Sequence, residues 1–315
     1  MRIPDISFFD TFTKYDRIKE RDLEKFTKQL ASGKKILAPS DNTVDHIRSM
    51  RFKRLNSDIE TFNRNISLVK TNLDAAESTL GTIVNAGQEV RTEIIRILNT
   101  GVLDSEDADI LRDYFQSMRD YIINQANVQV GDSSLFAGVK SQVEPFDNTG
   151  SYQGETVETT VPIAKGVELN TTFSGKDYLG VNEVSNKMLV VEAIDKIIEI
   201  IDSGDLSRLY NSADYINVTV DGNSYGNVPI LEAFDIGLNK IMQHRSLIGE
   251  QMVVADNIEE QNNTLRVNFS ELISKLEDAD YAGTISELEK SRTAYQALLA
   301  SIAQNKDLSL LNFIK

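Results

Sequence analysis

Apolar residues recur between positions 55 and 97 in alternating steps of four and three: Leu55, Ile59, Phe62, Ile66, Val69, Leu73, Ala76, Leu80, Ile83, then Gly87, Val90, Ile94 and Ile97. An unbroken 4-3 alternation is a heptad seam and predicts one long helix that packs along its whole length. No proline lies between Pro39 and Pro145 to interrupt it. A helix over residues 42–99, at ~1.5 Å per residue, is roughly 85 Å long, far beyond the helices of a compact enzyme domain. Gly87 is the one seam position without a side chain, at a cost of ~1 kcal/mol relative to alanine. Ser40 or Asp41 is the expected N-cap.

A second helix is expected over residues 105–130. Its inner side is Ile110, Leu111, Tyr114, Phe115, Met118, Ile122 and Ile123, and Gly131-Asp132 closes it. Residues 141–181 read differently. Gly150, Gly154, Gly166, Gly175 and Gly180 punctuate β-prone runs at 156–163 and 167–173, the pattern of a small β-rich insert. Helix returns over 184–203. Residues 215–221 form another β-prone patch, either part of the insert or a local hairpin. From there helix runs to the end. Ile258, Asn262, Leu265, Phe269, Leu272, Leu276 and Ala279 form one 4-3 seam; Ile285, Leu288, Arg292, Tyr295, Leu299 and Ile302 form another with the phase reset. The acidic stretch LEDADYA, residues 276–282, falls at the handover.

The first 30 residues also carry an apolar stripe: Phe9, Phe12, Leu23, Phe26 and Leu30. Neither end of the chain can bury its stripe alone. The simplest arrangement packs the two ends antiparallel with the insert at the far tip. The expected fold is therefore mainly α with a small β-rich insert, an elongated antiparallel helical hairpin with its termini together.

Charge narrows the partners. The 315 residues carry a net charge of −15, which argues against a nucleic-acid surface and against binding to anionic membranes. There is no cysteine, hence no disulfide and no zinc–thiolate site. No apolar run approaches the ~18 residues a membrane span needs. The start, MRIPDISFFDTFTKYD, has neither the basic end nor the apolar core of a cleaved secretory signal.

Candidate chemistry is sparse. His46 and His244 have no second ligand at helical metal-site spacing. No phosphate-binding, dinucleotide-binding or nucleophile-elbow motif occurs. Asp104, Glu106, Asp107 and Asp109 lack the central glycine and terminal glutamate of a calcium loop and suit a helix N-terminus instead. No catalytic, metal or cofactor site is expected.

The carboxylates of LEDADYA have another use. If residue 1 lies level with residue 315, residue 278 lies level with residue 40. A basic band, Lys34, Lys35, Arg48, Arg51, Lys53 and Arg54, then faces Glu277, Asp278 and Asp280, within one chain or between neighbours. Exposed pairs add only ~0–1 kcal/mol each; their expected role is register and partner choice.

These stretches resemble a known family. LASGKKILAPSDN (30–42) resembles the L-S-S-G-x-R-I-N-x-x-x-D-D segment of bacterial flagellins and their relatives. LEDADYAGTISELEKSRTAYQALLA (276–300) is similar to that family's C-terminal segment, with E-D-A-D-Y intact at Glu277 to Tyr281. The match covers residues 1–138 and 230–315. The Met-Arg-Ile start, the ending LSLLNFIK (308–315) and DSSLFAGVK (132–140) look more like the hook–filament junction members than flagellin itself. Asn42 stands where a second aspartate is usual, and Ala31 replaces a common serine.

The resemblance implies three domains: residues 1–40 with 277–315, a terminal helical domain that orders on assembly; residues 41–138 with 184–276, a helical rod; and residues 139–183, a β-rich outer domain. It implies a structural subunit, not an enzyme, assembled as a ring through its terminal helices. Its partners are then hook-associated protein 1, flagellin and a flagellar export chaperone. It further implies an extracellular location in the flagellum, reached by the flagellar type III system without a cleaved signal. Phe9, Phe12, Leu23, Phe26, Leu30, Leu288, Tyr295, Leu299 and Ile302 are the expected assembly residues. A short flagellin that forms the filament itself is the alternative.

Overall fold

The structure, a computed structural model, describes residues 3–100, 105–205, 208 and 214–311. Helices dominate: α1 (Ile3–Ser32), α2 (Thr43–Thr100), α3 (Ser105–Ala126), a single turn α4 (Gly175–Tyr178), α5 (Leu189–Ser203), α6 (Ile230–Glu277) and α7 (Tyr281–Leu311). Four antiparallel hairpins lie between them: β1 (Gln129–Val130) with β2 (Ser133–Ser134), β3 (Thr160–Ala164) with β4 (Val167–Asn170), β5 (Val181–Asn182) with β6 (Lys187–Met188), and β7 (Ile216–Val220) with β8 (Asn223–Val228). This is the mainly α fold with small β elements that the hydrophobic pattern predicts.

The chain forms two compact units, residues 1–58 with 264–315, and residues 59–263. The second holds the apolar core. Ile59, Ile66, Val69, Leu73, Ala76, Leu80, Ile83, Val90, Ile94 and Ile97 of α2 are all buried, as the heptad spacing requires. The seam is incomplete at its start, where Leu55 is exposed and Phe62 is half-buried. Gly87 is explained by packing: an added Cβ there would meet Leu238 Cδ1 of α6 at 2.7 Å. The seam position is small because the neighbouring helix fills it.

Charged and amide side chains set the register of α2 against α6. Asn262 donates to Asn63 Oδ1 at 3.1 Å. Lys70 reaches Asp256 and Glu259 at 2.7 and 2.9 Å. Glu77 pairs with Arg245 at 2.5 Å. Arg91 makes a bidentate pair with Asp235 at 2.6 and 2.9 Å. As numbers rise along α2 they fall along α6, so the two helices are antiparallel.

Several expected boundaries move. α3 stops at Ala126, and Gly131-Asp132 forms the turn of the β1–β2 hairpin instead of a helix cap. Ile110 of α3 faces outward, while Leu111, Phe115, Ile122 and Ile123 are buried. The expected helix at 184 begins only at Leu189, because β5–β6 occupies the preceding residues. The patch at 215–221 is a local hairpin, β7 with β8. It is tied to β5 by the Asn182 amide, which donates to Asn217 O at 2.9 Å and accepts from Thr219 N–H at 3.1 Å.

Candidate assembly site

The unit built from both ends begins with the turn after α1. Gly33 sits at φ +69°, and an added Cβ would lie 2.9 Å from the Tyr281 hydroxyl. Glycine is needed there for the left-handed backbone and for the close approach. The extended residues that follow pair with the break between α6 and α7. Lys35 N–H donates to Glu277 O at 2.6 Å and Ala279 N–H donates to Gly33 O at 2.9 Å. The buried Gln29 amide donates to Lys35 O at 2.7 Å.

The turn into α2 is held by Asp41, whose carboxylate accepts from the Leu37 and Ala38 N–H groups, both at 2.9 Å. Those two hydrogen bonds hold the Asp41 carboxyl below its ordinary range. The N-cap of α2 is Asn42, one residue beyond the expected Ser40 or Asp41. Its Oδ1 accepts from Asp45 N–H at 3.1 Å, and its amide donates back to the Asp45 carboxylate at 2.6 Å. An asparagine in place of the usual aspartate thus caps as well and pairs with an acid that an aspartate would repel.

LEDADYA resolves into distinct jobs. Glu277 is the last residue of α6 and is buried. Its carboxylate meets Lys53 Nζ at 2.5 Å, Lys34 Nζ at 3.6 Å and the hydroxyl of the buried Ser49. Burial pushes its pKa up, but the hydrogen bonds from Lys53 and Ser49 outweigh burial and hold it below the usual carboxyl range. Asp278 accepts from Lys34 Nζ at 2.6 Å and from Ser274 Oγ at 2.5 Å, and the Lys34 bond lowers its pKa. Asp280 forms no part of this cluster. Its carboxylate accepts from Ala282 N–H at 3.1 Å and its carbonyl from Thr284 N–H at 2.8 Å, so it caps α7.

Of the basic band, Lys53 and Lys34 reach the acids within one chain. Arg48 pairs weakly with Asp45 at 3.7 Å. Arg51 and Arg54 are exposed and have no ion-pair partner among the described residues. The spacing of charges does not separate Lys53 from its neighbours. The helix does: Lys53 lies one turn from Ser49, on the face toward α6, and the arginines lie on the other.

α1 and α7 pack antiparallel beyond the break, and the negative charge of Asp16 on α1 raises the pKa of Tyr295 on α7. Phe12, Leu23, Phe26 and Leu30 of α1 and Leu288, Tyr295 and Ile302 of α7 are half-buried. Leu299 is exposed. Phe9 lies within α1, its side chain outside the described residues. The inner side of α7 is shifted from the predicted seam: Arg292, Ile285 and Leu299 face outward, and Ser291 and Leu298 take the inner positions. Among the described side chains, the only fully buried ones of this helix pair are polar, Gln29 and Ser291. Neither the serine nor the glutamine carries a hydrophobic signal that a sequence pattern detects.

The description "bacterial flagellin N-terminal helical region" matches residues 13–141. That segment holds α1 from Thr13 onward, all of α2 and α3, and the β1–β2 hairpin. Residues 13–141 are similar to that helical region. Similarity to flagellar proteins runs over most of the chain. The chain is 22% identical over 315 residues to the flagellar hook-associated protein 3 of Escherichia coli (strain K12), which covers 92% of each chain. It is 23% identical over 292 residues to the flagellin of Bacillus subtilis (strain 168), covering 89% of this chain and 88% of that one. Among solved structures, the flagellar hook-associated protein 3 of Legionella pneumophila shares the fold with a TM-score of 0.59 at 14% identity, over 72% of this chain and 98% of that one. The flagellin-like region thus contains the Gly33 turn, the Asn42 cap and Lys53, half of the clamp around Glu277. Among the described residues no cluster of His, Cys, Asp or Glu is arranged to hold a metal, and no helix is long and apolar enough to cross a membrane.

Proposed function

We propose that this chain is the structural subunit joining hook-associated protein 1 to the flagellin filament, assembled as a ring through α1 and α7. The observation that carries this reading is the unfinished burial of the terminal pair. Two amphipathic helices meet along apolar stripes, yet every apolar side chain described on them keeps part of its surface in water. At about 25 cal/mol per Å² of apolar surface, neighbouring copies complete what one chain leaves open. Ordering of residues 1–40 and 277–315 is coupled to that docking. The Lys53–Glu277 and Lys34–Asp278 pairs fix where the helix pair begins. The subunit travels with an export chaperone through the flagellar type III system and keeps its N-terminus.

The similarity to a flagellin over most of the chain favours one alternative, a short flagellin that self-polymerises. Purified protein added to filament seeds separates the two. A junction subunit coats the seed end and stops. A flagellin extends the seed for as long as monomer lasts, an outcome that would overturn the junction assignment.

A further inference from the structure

The two compact units carry opposite charge. Residues 1–58 and 264–315 hold 19 Lys and Arg against 16 Asp and Glu, a net of +3; residues 59–263 hold 14 against 32, a net of −18. An asymmetry of this size directs association between unlike units of different copies.

The first turns of α2 present the basic side. Phe52 stacks on Phe269 at 5.8 Å, and Ser49 and Lys53 engage Glu277. The opposite face carries Val44, Ile47, Met50 and Leu55, with Val44 60% and Met50 58% exposed. Arg48, Arg51 and Arg54 are interleaved with them. A face that is apolar and cationic does not dock on itself, since like charges would be pressed together. It fits an apolar face with surplus carboxylate.

The outer face of α3 has that composition. Ile110 is 63% exposed, and Tyr121, about three turns further along the same face, is exposed as well. Asp109, Asp113 and Asp120 are exposed around them. Arg112 is shared by Asp109, Asp113 and Asp202 at 3.0, 3.2 and 3.8 Å. Arg119 pairs with Asp120 at 2.8 Å, so two guanidiniums among four carboxylates leave the face negative.

We propose that the α2 face from Val44 to Leu55 of one copy docks on the α3 face from Ile110 to Tyr121 of a second copy. The contact joins two different surfaces, so it propagates from copy to copy and does not close as a pair. Apolar side chains supply the buried area, and the arginines orient the approach. The inference rests on the reading of this chain as a self-assembling flagellar subunit and names one of its contacts.

The chain has no cysteine, which allows a direct test. Met50→Cys and Ser117→Cys are made in separate full-length chains, leaving every charge in place, and treated with a short bis-maleimide. The mixture is expected to give linked dimers several-fold above either variant alone. The yield falls at high salt. It falls also when Arg51→Glu and Arg54→Glu are added to the first chain, and returns when Asp109→Lys and Asp113→Lys are added to the second. Equal linking of Met50→Cys to itself would overturn the proposal. So would an unlinked mixture in flagella that visibly contain both variants, which leaves the junction reading intact. Absence of the unmodified chain from flagella would instead overturn that reading, and the contact with it.

Discussion

Lys53 Nζ lies 2.5 Å from the Glu277 carboxylate and joins the first turns of α2 to the last residue of α6. Glu277 is buried and serves Lys53, Lys34 and Ser49 at once, so removing it strands a buried hydroxyl and two cations. Glu277→Ala is expected to destabilise this unit by about 1–3 kcal/mol. Asp278→Ala, at an exposed pair, is expected to cost about 0–1 kcal/mol. Hydrogen exchange of amides in α1 and the first turns of α2 reads both. The acid side is also defined. Because the folded-state pKa of Glu277 is depressed, its stabilisation is complete above the ordinary carboxyl range and is lost as pH falls through it. Glu277→Gln should flatten the stability profile in that window.

His244 works in the same direction at higher pH. It packs on the Tyr178 ring, centroids 4.8 Å apart, and stands 3.9 Å from the Asp221 carboxylate, with Lys240 also on Asp221 at 3.0 Å. Burial lowers its pKa from 6.5, against the pull of Asp221 and Asp177 and with help from Lys240. The unfolded chain then binds the proton more readily, so stability is full above the unfolded pKa and declines as pH drops through it. The expected result is a melting temperature that falls between about pH 7 and pH 5, and falls less in His244→Gln.

Gly138 lies within the motif DSSLFAGVK. Its φ is +61°, and an added Cβ would press on Val157 O at 2.6 Å as well as on Glu155 O. Backbone oxygens cannot rotate away. Gly138→Ala is expected to cost about 2–4 kcal/mol, measured as a lower urea midpoint. A change below 0.5 kcal/mol would contradict the packing described, on the scale of an ordinary surface substitution, about 0.5 kcal/mol.

Phe26→Ala with Leu288→Ala removes apolar surface from the α1–α7 pair and nothing from the core of residues 59–263. The double variant should keep the main thermal transition of the wild type and lose incorporation into flagella. A main transition lowered by several degrees would place these residues in the core, not at the assembly surface.

The seam from Ile59 to Ile97 was legible because one face of α2 is buried throughout, so spacing alone reports it. In the α7 stripe Leu288, Tyr295 and Ile302 are inside as expected, but the pattern places Ile285, Arg292 and Leu299 each one position off, because that helix is only half-covered. Ser291 and Leu298 lie inside while Leu299 is exposed, and a half-buried helix places little constraint on its pattern. Axial arithmetic brought residue 278 level with residue 40 and the basic band around it, and of that band Lys34 and Lys53 reach the acids. It could not choose among Arg48, Arg51, Lys53 and Arg54, since that choice depends on which side of α2 faces α6. Asp280 looked like one more acid in a cluster. Its role as a cap depends on α6 ending at Glu277, and the phase reset between the two seams marked a handover without showing that the helix breaks there. Gly87 looked like a flaw in a heptad until Leu238 supplied the missing volume from another helix.

The central claim is a subunit confined to the junction. Antibody raised against the protein, applied with gold to intact flagella of the bacterium that encodes it, tests this by electron microscopy. The account predicts one labelled band at the boundary of hook and filament. Label distributed along the whole filament would contradict it and make the chain a flagellin.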